Sequence, residues 1–308
     1  MRILRMLGLY LVWVLSPAKG SYDISQLLIL DWEDEKKIVE TLNIKTFPCL
    51  AIFKKDDFEL HYIAADHSFL RDSPTFQMIE KEVETFNPSL MILEGFQDEW
   101  SEAITYEENK SGEPIFALNL AKQKGIKTRS GEPKDADLMQ YMHSKFGSNE
   151  KKSEDVFAYY TIRMLAQCLR SKEISEKDDV ISSVNGVAKK QEFFLGEFYG
   201  YEKLKDWLVN QGIKKAENLL SILETYESGE LTTEEQNEWE EVLKRYQACV
   251  TQDMYCRDQT IVTRILEAYK EGVKKALVIY GRSHFITQYN ILHHSFGEPK
   301  ITFYKPKF

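Results

Sequence analysis

Three apolar segments of the sequence each end at polar residues whose side chains could carry out chemistry. The first segment ends shortly before His67 and the second ends directly before Glu94. The third runs into Gly281, and His284 follows three residues later. In open parallel sheets, ligands bind in the crevice beyond the carboxyl ends of the strands. If these segments are parallel strands, we expect His67, Glu94 and His284 to meet at one edge of a sheet.

Two imidazoles and one carboxylate permit two kinds of chemistry. His67, Glu94 and His284 could bind a divalent metal and leave positions open for water. Mixed nitrogen and oxygen ligands favour Mn, Co or Zn over Ca or Mg. Without a metal, an imidazole oriented by a carboxylate could deprotonate a water molecule. We interpret the other four histidines as structural; they are His61, His143, His293 and His294.

An arginine is the next candidate for the site. Arg257 and Asp258 are predicted to open a helix whose apolar face begins with Ile261. This spacing places Arg257 on the apolar stripe, where a guanidinium needs an anionic partner. That partner is either a structural carboxylate, most plausibly Glu94 or Glu132, or a substrate carboxylate or oxyanion, because arginine suits both tasks.

Four polar neighbours of these groups are candidates for substrate binding, because they follow predicted strands or Arg257 itself. They are Asp66, Glu132, Asp258 and Arg282. Gly281 is expected at the end of its strand because a sharp turn there tolerates little side chain.

The elements that must position these residues are those of an α/β fold. A helix is predicted from Ser73-Pro74 and another over about 114–124, with Gly125 as its C-terminal cap. The alternation predicts a central, mostly parallel sheet with flanking helices. A large helical insertion, about 134–256, precedes the C-terminal strands, all within one domain over 21–308. The predicted strands are 46–53, 58–65, 89–93, 126–128, 276–280 and 300–304, with a hairpin turn at 54–57.

The first twenty residues have the layout of a secretory signal peptide. Arg2 and Arg5 precede the apolar stretch MLGLYLVWVL, and small residues precede a cleavage point near Gly20. The stretch is shorter than the roughly 20 apolar residues that a spanning helix needs. We therefore expect a secreted or periplasmic protein with no transmembrane segment after cleavage.

Composition and charge exclude several classes of protein. A hydrophobic fraction of 43% argues against a disordered chain. A net charge of −9 gives no electrostatic reason to bind a phosphate backbone, so nucleic acid is not an expected partner. Four cysteines are not a disulfide framework. Cys249 and Cys256 could pair across a bend or remain buried free thiols.

The ordered set of motifs resembles the superfamily that contains Tiki proteases, TraB and GumN proteins, erythromycin esterases and ChaN haem-binding lipoproteins. That superfamily has two Gly-x-x-His motifs at strand ends, a glutamate after an intervening strand, and a helix-borne arginine. Residues 281–284 match the second motif, and 64–67 match the first with Ala64 in place of glycine. Glu94 matches the glutamate, and 257–258 match the arginine pair. The resemblance covers about 58–304.

The resemblance implies an exported hydrolase that cleaves a peptide or ester bond. Tiki-like members use a metal, whereas erythromycin esterases resemble metal-free hydrolases with a histidine base. Arg257 would then hold substrate charge or stabilise the oxyanion. The ChaN-like alternative is a haem- or metal-binding protein without turnover, in which a tyrosine near the crevice could ligate the iron. A third option is an interaction protein delivered to another cell. The sequence has no lipobox cysteine behind the signal peptide, so anchoring of the ChaN type is not expected.

Overall fold

The computed structural model describes residues 32–96, 98, 101–108, 111–146, 154–162, 182, 185, 200–213 and 233–304. The predicted signal peptide and Cys168 lie outside these residues. Within them, Cys49, Cys249 and Cys256 are buried free thiols. The pairing considered for Cys249 and Cys256 is therefore not formed.

Six strands of the described chain form one mixed sheet, in the order β4-β3-β5-β2-β1-β6. Strands β2, β3, β4 and β5 run parallel, and β1 runs antiparallel to β2 and to β6. This confirms the α/β class and the mostly parallel sheet. The strands are β1 (Cys49–Lys55), β2 (Phe58–Ala65), β3 (Leu90–Leu93), β4 (Lys127–Ser130), β5 (Lys275–Gly281) and β6 (Lys300–Phe303).

Helices connect and flank these strands. The prediction of a helix beginning at Pro74 is confirmed, and Gly125 ends the next helix in the left-handed conformation with φ 66°. The helices are α1 (Trp32–Thr41), α2 (Pro74–Thr85), α3 (Glu113–Lys124), α4 (Asp135–Phe146), α5 (154–162), α6 (Tyr201–Asn210), α7 (Thr233–Lys270) and α8 (Arg282–Phe296).

Both faces of the central strands are buried, as their continuous apolar runs predict. Tyr62 and Ala64 of β2 point to a core that contains residues of α7 and α8. Ile63 and Ala65 point the opposite way, to a core that contains residues of α2 and α3. Side chains that alternate along one strand thus anchor helices on both sides of the sheet, and the strand ends stay fixed relative to one another.

The prediction that Arg257 and Asp258 open a helix is wrong. Helix α7 begins at Thr233 and runs for 38 residues to Lys270, so both residues lie well inside it. Neither glycine nor proline occurs between 233 and 270, so nothing in that stretch interrupts the helix. In the part of the chain that is described, no helix is both long and apolar enough to cross a membrane.

Candidate active site

The sheet brings the three predicted strand ends together. Strand β5 lies between β2 and β3 and is parallel to both. Ala65 pairs with Gly281, and Leu93 pairs with Ile279. His67 therefore lies just beyond the end of β2, with Glu94 just beyond the end of β3. His284 lies in the first turn of α8, which begins directly after β5.

His67 is paired with a carboxylate that belongs to a different element. Its Nδ1 donates a hydrogen bond to Oε1 of Glu113, the first residue of α3. The Ser68 backbone N–H donates to the other oxygen of Glu113 at 3.3 Å. The Glu113 side chain is 3% exposed, whereas that of His67 is 59% exposed. One ring nitrogen of His67 is thus fixed from behind, and the ring faces solvent.

The hydrogen bond to Glu113 raises the pKa of His67 to about 9. Burial opposes this shift, and the negative charge of Glu94 adds to it. His67 is therefore mainly an imidazolium at neutral pH, and its neutral form becomes abundant only in alkaline solution.

His284 is paired with a carboxylate too, but this pair is buried. Its Nδ1 lies 2.7 Å from Oδ1 of Asp258, which also accepts a hydrogen bond from Gln288 Nε2 at 2.6 Å. The Tyr62 hydroxyl donates to Gln288 Oε1 at 3.2 Å. His284 is 5% exposed and Asp258 is fully buried.

The Asp258 carboxylate sets which group donates and which accepts in each of these hydrogen bonds. An ionised carboxylate only accepts hydrogen bonds, so Gln288 must turn its amide nitrogen toward Asp258 and its oxygen toward Tyr62. For the same reason the Nδ1 of His284 carries a proton. The other ring nitrogen, Nε2, lies 3.9 Å from Oε1 of Glu94, which is too long for a direct hydrogen bond.

Arg257 links two glutamates at the ends of β3 and β4. Its Nε and Nη2 donate to the two oxygens of Glu132 at 2.8 and 2.7 Å. Nη2 also donates to Oε1 of Glu94 at 3.0 Å. The expectation that buried Arg257 pairs with Glu94 or Glu132 is confirmed, because it pairs with both. The Tyr280 hydroxyl lies 3.3 Å from Glu132 Oε1, and the Gly95 backbone N–H donates to that same oxygen at 3.3 Å.

This arrangement keeps both glutamates ionised. Burial acts to raise the pKa of Glu132, but the charge and hydrogen bonds of Arg257 outweigh it and hold that pKa at about 2. Burial likewise opposes ionisation of Glu94, while Arg257 and the two histidines lower its pKa below the usual value. Two carboxylates and one guanidinium therefore leave a net negative charge beside His67 and His284.

Gly281 is required for space rather than for a sharp turn. Its backbone, with φ −54° and ψ 147°, is open to any residue, so the prediction that little side chain is tolerated here is confirmed by close contacts and not by backbone conformation. A Cβ atom on Gly281 would lie 2.6 Å from His67 Nε2 and 3.6 Å from Glu94 Oε2. The Gly281 N–H donates to that same Glu94 oxygen at 2.9 Å. The Nε2 of His67 and the carboxylate of Glu94 thus flank one small space above Gly281.

The four residues expected to bind substrate occupy different positions. Asp66 and Arg282 are exposed, and the guanidinium of Arg282 lies 5.6 Å from the Phe47 ring centroid. Asp258 lies behind His284, and Glu132 is engaged by Arg257 as described above. Of the four, Asp66 and Arg282 are exposed to solvent.

A rim of apolar side chains follows His67. Phe69 is 40% exposed and Leu70 is 63% exposed, and these residues form what we term the apolar shoulder. Among described residues, the other large hydrophobic side chain with comparable exposure is Val209, on α6. The shoulder begins two residues after His67, so it adjoins the candidate site.

The ligand set expected for a metal can be compared with this geometry. In both histidines Nδ1 contacts the carboxylate and leaves Nε2 free of it, an arrangement common among metal-binding histidines. However, the oxygens of Glu94 already accept hydrogen bonds from Arg257 and Gly281. Within the described residues, no group of three or more His, Cys, Asp or Glu side chains is arranged to hold a metal ion. The metal ligand set of His67, Glu94 and His284 therefore stays a prediction of the sequence.

Sequence reasoning missed Glu113, Gln288 and Tyr62. Glu113 is separated from His67 by 46 positions, and an acidic residue in the first turn of a helix is already explained by the helix dipole. Gln288 had a usable signal, because it lies four residues after His284 and so one turn along the same helix face. Tyr62 had no such signal, because a tyrosine in an apolar strand is more often core.

Comparisons of the chain with protein-family models, with curated proteins and with solved structures found no match.

Proposed function

We propose that the protein is a hydrolase in which His67, held by Glu113, activates a water molecule to cleave an ester or peptide bond. The observation that carries this proposal is the exposed His67 ring, whose Nδ1 is bonded to a buried carboxylate and whose Nε2 lies beside Glu94 above Gly281. A histidine oriented by a carboxylate through one nitrogen is the arrangement of a general base. Membership of the Tiki, erythromycin esterase and ChaN superfamily is part of the proposal and rests on the motifs alone.

The reaction needs the neutral form of His67. Its Nε2 would take a proton from water as the water oxygen attacks the carbonyl carbon, and the carbonyl oxygen becomes an oxyanion. The resulting imidazolium would return the proton to the leaving oxygen or nitrogen as the bond to carbon breaks. The products are a carboxylic acid and an alcohol or amine, and Glu113 stabilises the imidazolium formed between the two steps.

The other charged groups would act on the same space. Glu94 can accept a hydrogen bond from the attacking water, since its carboxylate lies beside His67 Nε2. The positive charge of Arg257 neutralises one of the two glutamate charges and so lowers the cost of forming the oxyanion. His284 has its Nδ1–H fixed by Asp258, so its Nε2 is available on the Glu94 side of the site.

The test uses 4-nitrophenyl esters and a library of fluorogenic peptides with the purified full chain. We expect turnover that falls by about 10²–10⁴-fold in His67→Gln, the range for removal of a general base. His294→Gln is the matched control, because His294 is exposed on α8 away from these contacts. Equal turnover in His67→Gln and wild type would contradict the proposal.

Metal analysis separates the two forms of hydrolase that the motifs imply. Plasma mass spectrometry of wild type after reconstitution with Mn, Co or Zn gives the metal content per chain. Stoichiometric metal that is lost in both His67→Ala and His284→Ala, and kept in His61→Ala, would replace the metal-free scheme with a Tiki-like one. Metal-free protein whose turnover still requires His67 would support the scheme above.

A haem-binding protein is the second candidate function. It is favoured by the exposed His67 ring and the apolar shoulder that follows it, because haem iron takes an imidazole ligand and the macrocycle needs apolar contacts. A Soret band that forms on addition of haemin and is lost in His67→Gln, without turnover of any ester or peptide, would establish this candidate instead.

Export is a further part of the proposal and rests on the first twenty residues. Mass spectrometry of the protein recovered from its producing cell should show a chain that starts near Ser21. A mature chain that retains Met1 would contradict export by this route.

A further inference from the structure

We infer that the apolar shoulder, Phe69 and Leu70, binds an apolar group of the substrate next to the bond that is cleaved. The inference rests on the proposed function, because it takes His67 as the general base. It adds the substrate class, which the motifs leave open: carbonyl compounds with an apolar group beside the reacting carbon.

The loop that carries the shoulder is fixed at both ends. The carbonyl oxygen of Asp66 accepts a hydrogen bond from Thr75 Oγ1 at 2.7 Å. Ser73 N–H donates to the Leu70 carbonyl at 3.0 Å, and Leu70 N–H donates to Ser68 Oγ at 3.0 Å. The backbone of the turn is therefore bonded on both sides of the two apolar residues, and their exposure follows from a defined loop conformation.

The same carboxylate fixes His67 and the start of this loop. Glu113 accepts one hydrogen bond from the His67 ring and another from the Ser68 backbone. The Phe69 ring also approaches Gly112, the residue before Glu113, since a Cβ there would lie 3.8 Å from Phe69 Cε1. The position of the shoulder relative to the His67 ring is thus set by shared contacts with one helix start.

The charged neighbour of the shoulder is engaged elsewhere. The guanidinium of Arg71 lies 4.4 Å from the Phe116 ring centroid and forms an ion pair with Glu80. Those contacts direct it to α2 and α3. Exposed large apolar side chains that adjoin a candidate site are a common mark of ligand contact. In the described part of the chain, Val209 on α6 is the other large hydrophobic side chain that is exposed, and it is not next to these residues in the sequence.

The experiment compares esters that differ only in their apolar group. We would measure kcat/KM for 4-nitrophenyl acetate and 4-nitrophenyl hexanoate with wild type and the double variant Phe69→Ser, Leu70→Ser. The matched control is Val209→Ser, and His67→Gln gives the background rate. We expect the kcat/KM of wild type to be higher for the hexanoate than for the acetate. In the double variant this hexanoate-to-acetate ratio should fall about tenfold, which corresponds to roughly two methylene groups that lose apolar contact. Val209→Ser should retain the wild-type ratio.

A parallel pair of fluorogenic peptides, with alanine or leucine at the acyl side of the cleaved bond, distinguishes an acyl chain from an amino-acid side chain as the apolar group. A tenfold fall in preference within either pair supports the inference. An unchanged hexanoate-to-acetate ratio and an unchanged leucine-to-alanine ratio in the double variant, with turnover that still needs His67, would overturn the inference and leave the proposed function intact.

If wild type turns over neither series above the His67→Gln background, the proposed function fails. Binding of cis-parinaric acid, followed by its fluorescence, then decides the role of the shoulder. Affinity that is at least tenfold weaker in the double variant than in Val209→Ser supports an apolar ligand there. Equal affinity in the double variant and in Val209→Ser overturns it.

Discussion

The two histidine–carboxylate pairs of this site differ mainly in their access to solvent. Both use Nδ1 to bond a buried carboxylate, and both follow neighbouring parallel strands. The His67 ring is largely exposed, whereas His284 and Asp258 are enclosed by Gln288 and Tyr62. Under the proposed function, the exposed histidine–carboxylate pair accepts a proton from water, and the buried pair supports the site from inside.

The largest effect is expected for Arg257, which binds Glu94, the carboxylate that lies near both histidines. Arg257→Ala strands Glu94 and Glu132 as buried carboxylates, so we expect the free energy of unfolding to fall by about 3–5 kcal/mol. Urea denaturation followed by circular dichroism measures it. Lys274→Ala removes an exposed pair with Asp57 and should cost about 0–1 kcal/mol. An unchanged midpoint for Arg257→Ala would show that the guanidinium is unpaired in solution.

A smaller effect should separate the two histidines. His284→Leu leaves the buried Asp258 without one of its donors, so we expect a loss of about 1–3 kcal/mol in the free energy of unfolding. His67→Leu also removes a donor to a buried carboxylate, Glu113, but the His67 side chain is 59% exposed and water can replace its hydrogen bond there, so we expect a change of less than about 1 kcal/mol. If the two substitutions destabilise the protein equally, the difference in burial has no energetic meaning.

The pH dependence of turnover tests the role of Glu113. Because the base must be neutral, kcat/KM of wild type should rise with pH and reach half its maximum near the His67 pKa of about 9. In Glu113→Gln the carboxylate charge is absent, so that midpoint should move down toward the ordinary histidine value of roughly 6.5. Glu202→Gln, a change in an exposed glutamate of α6, is the control. A midpoint shared by Glu113→Gln and wild type would exclude this pairing.

The smallest expected effect is on stability. The pKa of His67 is raised on folding, so its stabilising contribution is complete below about pH 6.5 and is lost as the pH rises through about 9. Since the ring is mostly exposed, the total should stay below about 1 kcal/mol. Denaturation of wild type and His67→Gln between pH 6 and 10 gives the difference, which should shrink with rising pH. A difference that is constant over this range would contradict the raised pKa.

The sequence predicts the strand ends well because apolar runs and the polar residues behind them are local features. The bounds expected for β2 and the start of α2 are those observed. The pairing of Arg257 with a carboxylate could be predicted because a charged side chain on an apolar helix face needs a partner of opposite charge. The continuation of α7 through Arg257 could not be predicted by the same means, because nothing at Arg257 distinguishes the start of a helix from its interior. Apolar periodicity is the same in both.

Partnerships across the chain are the part that local patterns do not predict. His61 makes the point, since its Nδ1 also meets a buried carboxylate, Glu82, at 2.6 Å. It lies in the middle of β2 and stacks on Phe86, away from the sheet edge, which agrees with its interpretation as structural. A histidine and a carboxylate in contact are therefore not enough to identify a site. The position of His67 beyond a strand end makes it a candidate, and its contact with Glu113 emerges only from the packing of α3.

Strand β5 has a consequence for how the protein is made. It lies between β2 and β3, yet it is synthesised more than 180 residues after β3. On the ribosome, the two earlier strands have no neighbour to join them until residues 275–281 have left the exit tunnel. A nascent chain that stops short of β5 can therefore contain His67, Glu94 and Arg257 and still have no assembled site. Pairing over such a separation also slows folding, so the apolar β2 and β3 segments are most exposed to aggregation in the interval before assembly.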